Sequence, residues 1–203
     1  NGFQIHFAGF LQMHGFAPLA SLVFNRISQM AGFCKWHKSL QNGADFDIIT
    51  KKGGGVTVDH KVKAAELFLQ GYNCAQAVAV AFCDVTGWDE AFACRLASSF
   101  GGGMGRQREV CGAVSGMLMV AGALYGYDNS DADSKKKELY KQVQELAEKF
   151  KEENGSIICR EILKNPPSDP NPSPRTAEYY AKRPCARMVM TAAKLMDEFI
   201  AQH

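Results

Sequence analysis

From Asp59 to the C-terminus, apolar residues recur at the three- and four-residue spacing of a helix face. No segment there alternates apolar and polar residues, which is the pattern of a half-buried strand. Glycine, asparagine and proline mark the helix ends. The spacing predicts helices at about residues 62–71, 74–85, 89–100, 110–125, 130–154, 156–163 and from 184 onward. We therefore predict an all-α bundle of six or seven helices around a small-residue central helix at 110–125, which is apolar nearly all round.

The first 58 residues differ in composition from the rest of the chain. They contain seven of the 13 phenylalanines and carry five basic and two acidic side chains, against 18 and 19 in the remainder. Three interpretations stay open: a loosely attached helical extension, a non-native segment, and a membrane-associated segment, which the polar residues and glycines among residues 4–18 disfavour. We expect an atypical N-terminal extension at 1–58 and one helical domain at 59–203.

The stretch Lys51-Lys52-Gly53-Gly54-Gly55 has two interpretations. As protein, it is a flexible glycine linker. As translated DNA, it is what a purine-rich ribosome-binding sequence encodes in frame, and Val56 or Val58 would then be the native start. The genomic DNA decides between them, because the second interpretation requires an AAGGAGG-like run at these codons.

Seven cysteines are an odd number, so a fully paired disulfide framework is excluded for the monomer. A chain of 203 residues can bury a core without disulfides. We therefore expect reduced thiols and a cytoplasmic setting. A formal charge of +2 gives no basic surface for nucleic acid, and neither a nucleic-acid nor a membrane partner is expected.

Four cysteines are predicted at the starts of four helices: Cys74, Cys111, Cys159 and Cys185. Asn73, Ser156 and Pro184 precede three of these starts, and each is a residue that favours a helix N-terminus. Unpaired N–H groups and a partial positive charge at that end favour thiolate over thiol. Four such thiolates could surround one anionic centre. Nearby arginines are expected to offset its charge: Arg106, Arg108, Arg160, Arg183 and Arg187.

For any single cysteine the alternative is a small buried hydrophobe. We favour that alternative for Cys34, Cys83 and Cys94, which lack a helix-start signal. The chain has no C-x-x-C, so neither a zinc ribbon nor a thioredoxin-type motif is present. The glycine-rich loop at 101–106 lacks the ending of a phosphate-binding loop.

The run Cys111-Gly112-Ala113-Val114-Ser115-Gly116 matches the pattern C-G-A-x-x-G. With Cys74 upstream and Cys159 and Cys185 downstream, the chain resembles the C-GCAxxG-C-C family of redox-active proteins, whose domain also occurs in split-Soret-type cytochromes. The resemblance covers about residues 61–193. It implies that the redox-active residues are the same four cysteines.

Gly112 and Gly116 lie four residues apart on one predicted helix face. Without side chains, they would let a bulky cofactor approach closely, and we take both as candidate cofactor-binding residues. Close packing against a second helix is the alternative for each.

Three functions suit the four cysteines. The first is electron transfer or redox sensing by an iron–sulfur cluster of the [2Fe–2S] type, with a redox partner protein. The second is a thiol–disulfide oxidoreductase or redox switch in which Cys111 is the attacking thiol of low pKa. The third is a zinc-clipped, non-catalytic helical module. An electron carrier is favoured over an enzyme, and a homodimer is compatible with the small-residue central helix.

Overall fold

The computed structural model describes residues 49–52, 55–130 and 132–203. These residues belong to one compact unit, Asp47–His203. The interpretations of residues 1–48, including that of Cys34, lie outside the described residues, and so do Gly53 and Gly54.

A two-stranded antiparallel hairpin precedes the helices. Strand β1 (Ile49–Lys52) pairs with β2 (Gly55–Val58) so that Ile49 faces Val58 and Lys52 faces Gly55. Lys51, Lys52 and Gly55, which belong to the stretch interpreted as a glycine linker, thus pair in this hairpin. The sequence signals for this hairpin are short. Two runs that contain β-branched residues flank Gly53-Gly54, and a Gly-Gly pair is typical of tight hairpins.

The rest of the described chain is helical, which confirms the all-α class of the domain. Nine helices lie in these residues: α1 (His60–Leu69), α2 (Cys74–Ala81), α3 (Cys83–Thr86), α4 (Glu90–Ala97), α5 (Gly112–Tyr125), α6 (Asp133–Asn154), α7 (Cys159–Ile162), α8 (Ala177–Lys182) and α9 (Cys185–Ile200). Six of them have eight residues or more. The predicted helix at 74–85 divides at Phe82, and α8 was not predicted. Across the described ranges, no helix combines the length and the apolar character that crossing a membrane requires.

Local signals fix several helix ends where the sequence predicted them. The Asn73 side chain accepts from the N–H groups of Ala75 and Gln76, and the Gln76 side chain accepts in return from the Asn73 N–H. This capping box starts α2. Gly155 ends α6 in the left-handed conformation, with φ of 84°.

Helix α5 lies at the centre of the bundle, as its composition predicted. It packs against α2, α6 and α9. The core around it contains fully buried side chains from four helices and from Phe82, which lies between α2 and α3: Phe68, Phe82, Met117, Leu146, Phe150, Met188, Met196 and Phe199. Each such burial favours folding by about 1.5–3 kcal/mol.

Gly116 allows α5 to approach the backbone of α2. A Cβ built at Gly116 would lie 2.7 Å from the carbonyl oxygen of Ala75 and 3.0 Å from the Cβ of Val78. We expect Gly116→Ala to lower the free energy of unfolding by about 1–3 kcal/mol, because the two helices must separate. Urea denaturation measures this loss.

Gly122 on the same helix is the matched control. No atom lies within 4 Å of a Cβ built there. Gly122→Ala is expected to raise the free energy of unfolding by up to about 1 kcal/mol, since alanine is the better helix former. Equal losses in the two variants would contradict the assigned packing role of Gly116.

A buried histidine joins three helices. His60 at the start of α1 is 8% exposed, and its ring stacks on Phe82 with centroids 4.1 Å apart. Its Nδ1 lies 2.5 Å from Oδ1 of Asp197 on α9, and its Nε2 lies 3.2 Å from the carboxylate oxygens of Asp84 on α3. His60 thus tethers α1 to α3 and α9.

The ion pairs of His60 predict a pH-dependent stability. Burial alone would lower its pKa, but the hydrogen bonds and charges of Asp197 and Asp84 outweigh burial and raise the pKa above 6.5. The stabilisation is therefore complete below pH 6.5 and is lost as the pH rises through the raised value. Urea denaturation over a pH series measures this effect. We expect His60→Gln to lower the free energy of unfolding, relative to the unsubstituted protein, most strongly at the acidic end of the series. A difference that does not change with pH would contradict this.

Candidate functional site

The structure places all four predicted cysteines at helix starts. Cys74, Cys159 and Cys185 are the first residues of α2, α7 and α9, and Cys111 is the N-cap of α5. Their exposed fractions are only 5–8%. All six cysteines in the described ranges are free thiols.

The four cysteines line one cavity with a volume of about 290 Å³. The two other described cysteines lie elsewhere: Cys83 is buried beside Val80 and Ala93, and Cys94 packs against that cluster. In the described part of the chain, no group of three or more His, Cys, Asp or Glu side chains is arranged so that it could hold a metal ion. The four thiols thus surround a space and do not converge on a point.

A short backbone pairing places Cys111 beside Cys159. Val110 and Ile158 form an isolated antiparallel bridge. On either side of it, the N–H of Cys111 donates to Ile157 O at 2.8 Å, and the N–H of Cys159 donates to Glu109 O at 2.6 Å. Two cysteines 48 positions apart in sequence are therefore fixed on paired segments. The sequence does not indicate this pairing, because neither segment is long enough to show the alternation of apolar and polar residues that marks a strand.

The thiols of Cys74 and Cys185, the first residues of α2 and α9, shift each other's pKa. The neighbouring Cys185 thiol and burial raise the pKa of the Cys74 thiol. The Cys74 thiol lowers the pKa of Cys185 against the opposing effect of burial, with help from the charges of Arg183 and Arg175. Cys185 therefore has the greater thiolate character of the two.

Cys111 does not have the low pKa that its helix-start position predicted. Burial raises its pKa to about 12, although the N–H groups of Ala113 and Val114 oppose that effect. The expectation of Cys111 as the attacking thiol of low pKa is wrong, because removal from water outweighs the helix terminus. Burial also raises the pKa of Cys159, and Arg108 offsets part of the rise.

The glycine-rich loop before α5 crosses the site in a strained conformation. Gly102, Gly103 and Gly105 have positive φ, and so do three non-glycine residues, Met104, Arg106 and Arg108, with φ of 58°, 69° and 65°. Left-handed backbone at non-glycine residues is costly and tends to occur at functional sites. A Cβ built at Gly103 would lie 2.7 Å from the Cβ of Cys159, so only glycine allows the loop to lie against that cysteine.

Arg106 ties a proline-rich loop to the glycine-rich loop. Its Nε donates to Asp169 O at 2.7 Å, its Nη1 to Ser173 Oγ at 3.1 Å and its Nη2 to Asp169 Oδ2 at 3.1 Å. Pro170 and Pro172 of this loop line the cavity. The loop spans residues 165–174 and contains five of the seven prolines of the chain, and the structure places it at the site.

Arg108 is buried at the cavity with an exposed fraction of only 2%. Its Nε donates to Pro167 O at 3.1 Å and its Nη1 to Gly102 O at 3.5 Å. Its Nη2 has no hydrogen-bond partner among the described residues. A buried guanidinium nitrogen without a partner is costly, and this one belongs to a side chain that lines the cavity.

The charge of the cavity lining is positive apart from the thiols. Four arginines line it, Arg106, Arg108, Arg175 and Arg183, and none of its described lining residues is Asp or Glu. Arg160, expected at the site, instead pairs with Glu109, and Arg187 is an exposed residue that does not line the cavity. Arg175 is the arginine that sequence reasoning missed, since it lies ten residues before the nearest cysteine.

The two motif glycines have different surroundings. Gly112 lines the cavity, and a Cβ there would lie 3.1 Å from the Cβ of Cys74 and 2.9 Å from Phe100 O. Gly116 does not line it and packs on α2. The geometry favours helix packing for Gly116, and cofactor contact by Gly112 stays a prediction.

A protein-family model matches this chain. Neither the curated proteins nor the solved structures contain a match to the chain. The family model described as "Putative redox-active protein (C_GCAxxG_C_C)" matches residues 72–199, which is more than half of the chain and includes all four cavity cysteines. The chain belongs to the C_GCAxxG_C_C family of redox-active proteins.

Proposed function

We propose that this protein transfers or senses electrons through an iron–sulfur cluster of the [2Fe–2S] type held by Cys74, Cys111, Cys159 and Cys185. The observation that carries the proposal is that thiols from four separate helix starts line one cavity. Clusters of this type are held by four cysteine thiolates. When bound, the cluster would supply one-electron exchange.

The charges around the cavity support an anionic group. Four arginines line it, and three helices of eight residues or more, α2, α5 and α9, begin there. Arginine and helix N-termini both stabilise negative charge.

The size of the cavity favours a cluster over a single zinc ion. Its volume of about 290 Å³ is several times the roughly 30 Å³ that one water occupies in the liquid. A structural zinc ion is contacted directly by its four ligands and needs no such space. The deep burial of the four thiols suits a group that must be kept from water. We propose a reducing compartment, the cytoplasm, and a redox partner protein.

A dithiol reaction is the second candidate, and the interaction between the Cys74 and Cys185 thiols, which lowers the pKa of Cys185, favours it. The Cys185 sulfur would attack a substrate disulfide and release one substrate thiolate. The Cys74 sulfur would then displace the second thiolate, losing its proton to solvent. Two electrons pass to the substrate, and the protein is left with a Cys74–Cys185 disulfide.

Anaerobic purification of the full chain separates the candidates. A brown protein whose visible absorption bleaches on reduction and returns on reoxidation supports the cluster. A colourless, metal-free protein that loses two thiols on mild oxidation, but loses none after Cys74→Ser or Cys185→Ser, supports the dithiol reaction. A colourless protein with one zinc ion per chain contradicts both and supports the structural zinc site.

A further inference from the structure

We propose that the cysteine cavity also binds a small oxyanion of sulfate or phosphate size, through Arg108, Arg175 and Arg183. This binding site goes beyond the proposed function, since it depends on the arginines and requires no cluster. Its ligand is an exogenous anion that reaches the cavity from solvent.

The first support is the state of Arg108. Two of its guanidinium nitrogens are occupied by carbonyl oxygens, which fixes the plane of the group. The third, Nη2, has no partner in the described residues, although the side chain is almost fully buried. A fixed, buried donor of this kind favours an acceptor that carries negative charge.

The second support comes from two further arginines of the lining. Arg175 and Arg183 each lie 4.8 Å from the centroid of the Tyr179 ring, so the ring holds both guanidinium groups. Neither forms an ion pair with a carboxylate of the described residues; Arg175 donates only to Tyr72 O at 3.3 Å. Arg106 differs, because Asp169 already pairs with it. Arg175 is exposed and Arg183 half-buried, so an anion could reach them from solvent.

The volume of the cavity limits the size of the ligand that it can hold. About 290 Å³ lies just below the roughly 300–1,000 Å³ of ordinary small-molecule sites. A compact oxyanion fits this space. Arginine presents several N–H donors in a plane, a geometry that suits oxyanions.

Isothermal titration of the purified full chain with sodium sulfate, with chloride adjusting the ionic strength, tests the proposal. We expect one saturable site per chain. Arg108→Gln should weaken sulfate binding about 10- to 100-fold, the effect of losing a charged hydrogen-bond donor. Arg183→Gln, at a less buried position, should also weaken it and serves if Arg108→Gln does not fold. Arg95→Gln on the exposed side of α4 is the matched control and should leave the affinity unchanged.

Two results would overturn the oxyanion site. One is the absence of saturable sulfate binding by the unsubstituted protein. The other is an affinity that neither Arg108→Gln nor Arg183→Gln changes. Iron and sulfide assays on the same samples separate this proposal from the proposed function. A protein that holds the cluster but does not bind sulfate refutes only the oxyanion site. A protein that binds sulfate but holds no cluster refutes only the cluster.

Discussion

Cys111→Ser is expected to abolish retention of the iron–sulfur cluster, whereas Cys94→Ser should retain it in full. Cys111 is 5% exposed and lines the cavity with the other three thiols. A serine hydroxyl is a poorer ligand for iron than a thiolate, and the other three thiols alone do not complete a four-cysteine site. Visible absorption and iron content after anaerobic purification measure the difference.

Cys94→Ser is the matched control because it makes the same replacement of sulfur by oxygen at a cysteine outside the cavity. Cys94 is half-buried and packs beside Val80 and Ala93. Far-ultraviolet circular dichroism tests whether both variants fold. If Cys111→Ser does not fold, Cys185→Ser takes its place. Equal loss of iron in the cavity variant and in Cys94→Ser would contradict the assignment of the site.

Gly103→Ala is expected to disturb the site and the fold together. Gly103 has φ of 74°, and a Cβ there would lie 2.7 Å from the Cβ of Cys159 and 2.9 Å from the N of Glu109. The left-handed conformation costs alanine about 1–2 kcal/mol, and overpacking costs about 1–3 kcal/mol. We therefore expect a loss in the free energy of unfolding of roughly 2–5 kcal/mol, with a fall in cluster content because Cys159 must move.

Gly105→Ala separates the two effects. Gly105 also has positive φ, 61°, but the nearest atom to a Cβ there is Ser99 O at 3.7 Å, an ordinary contact. This variant should lose only the backbone cost of about 1–2 kcal/mol and should keep its cluster. Equal losses of cluster in the two variants would show that Gly103 does not position Cys159.

The helix starts could be predicted from sequence because their signals are local. Asn73 caps α2 through its own side chain and that of Gln76, and the two residues are only three positions apart in the sequence. The same signals placed four cysteines at four helix starts. That the four cysteines share one cavity was a hypothesis from these helix starts and from the family resemblance, because it depends on how the helices pack.

The remaining features of the site arise from contacts between distant segments. Val110 pairs with Ile158, and the Nε of Arg108 donates to Pro167 O, so both contacts join segments about 50 to 60 residues apart. No local pattern encodes such a pairing. The pKa of Cys111 shows the same limit: its helix-start position was visible in the sequence, but the burial that raises the pKa to about 12 was not.

Chemical analysis of iron and acid-labile sulfide in the anaerobically purified full chain tests the central claim most directly. A [2Fe–2S] cluster on the four cavity cysteines predicts two irons and two sulfides per chain. Zinc in place of iron, or a metal-free chain without sulfide, would contradict the claim.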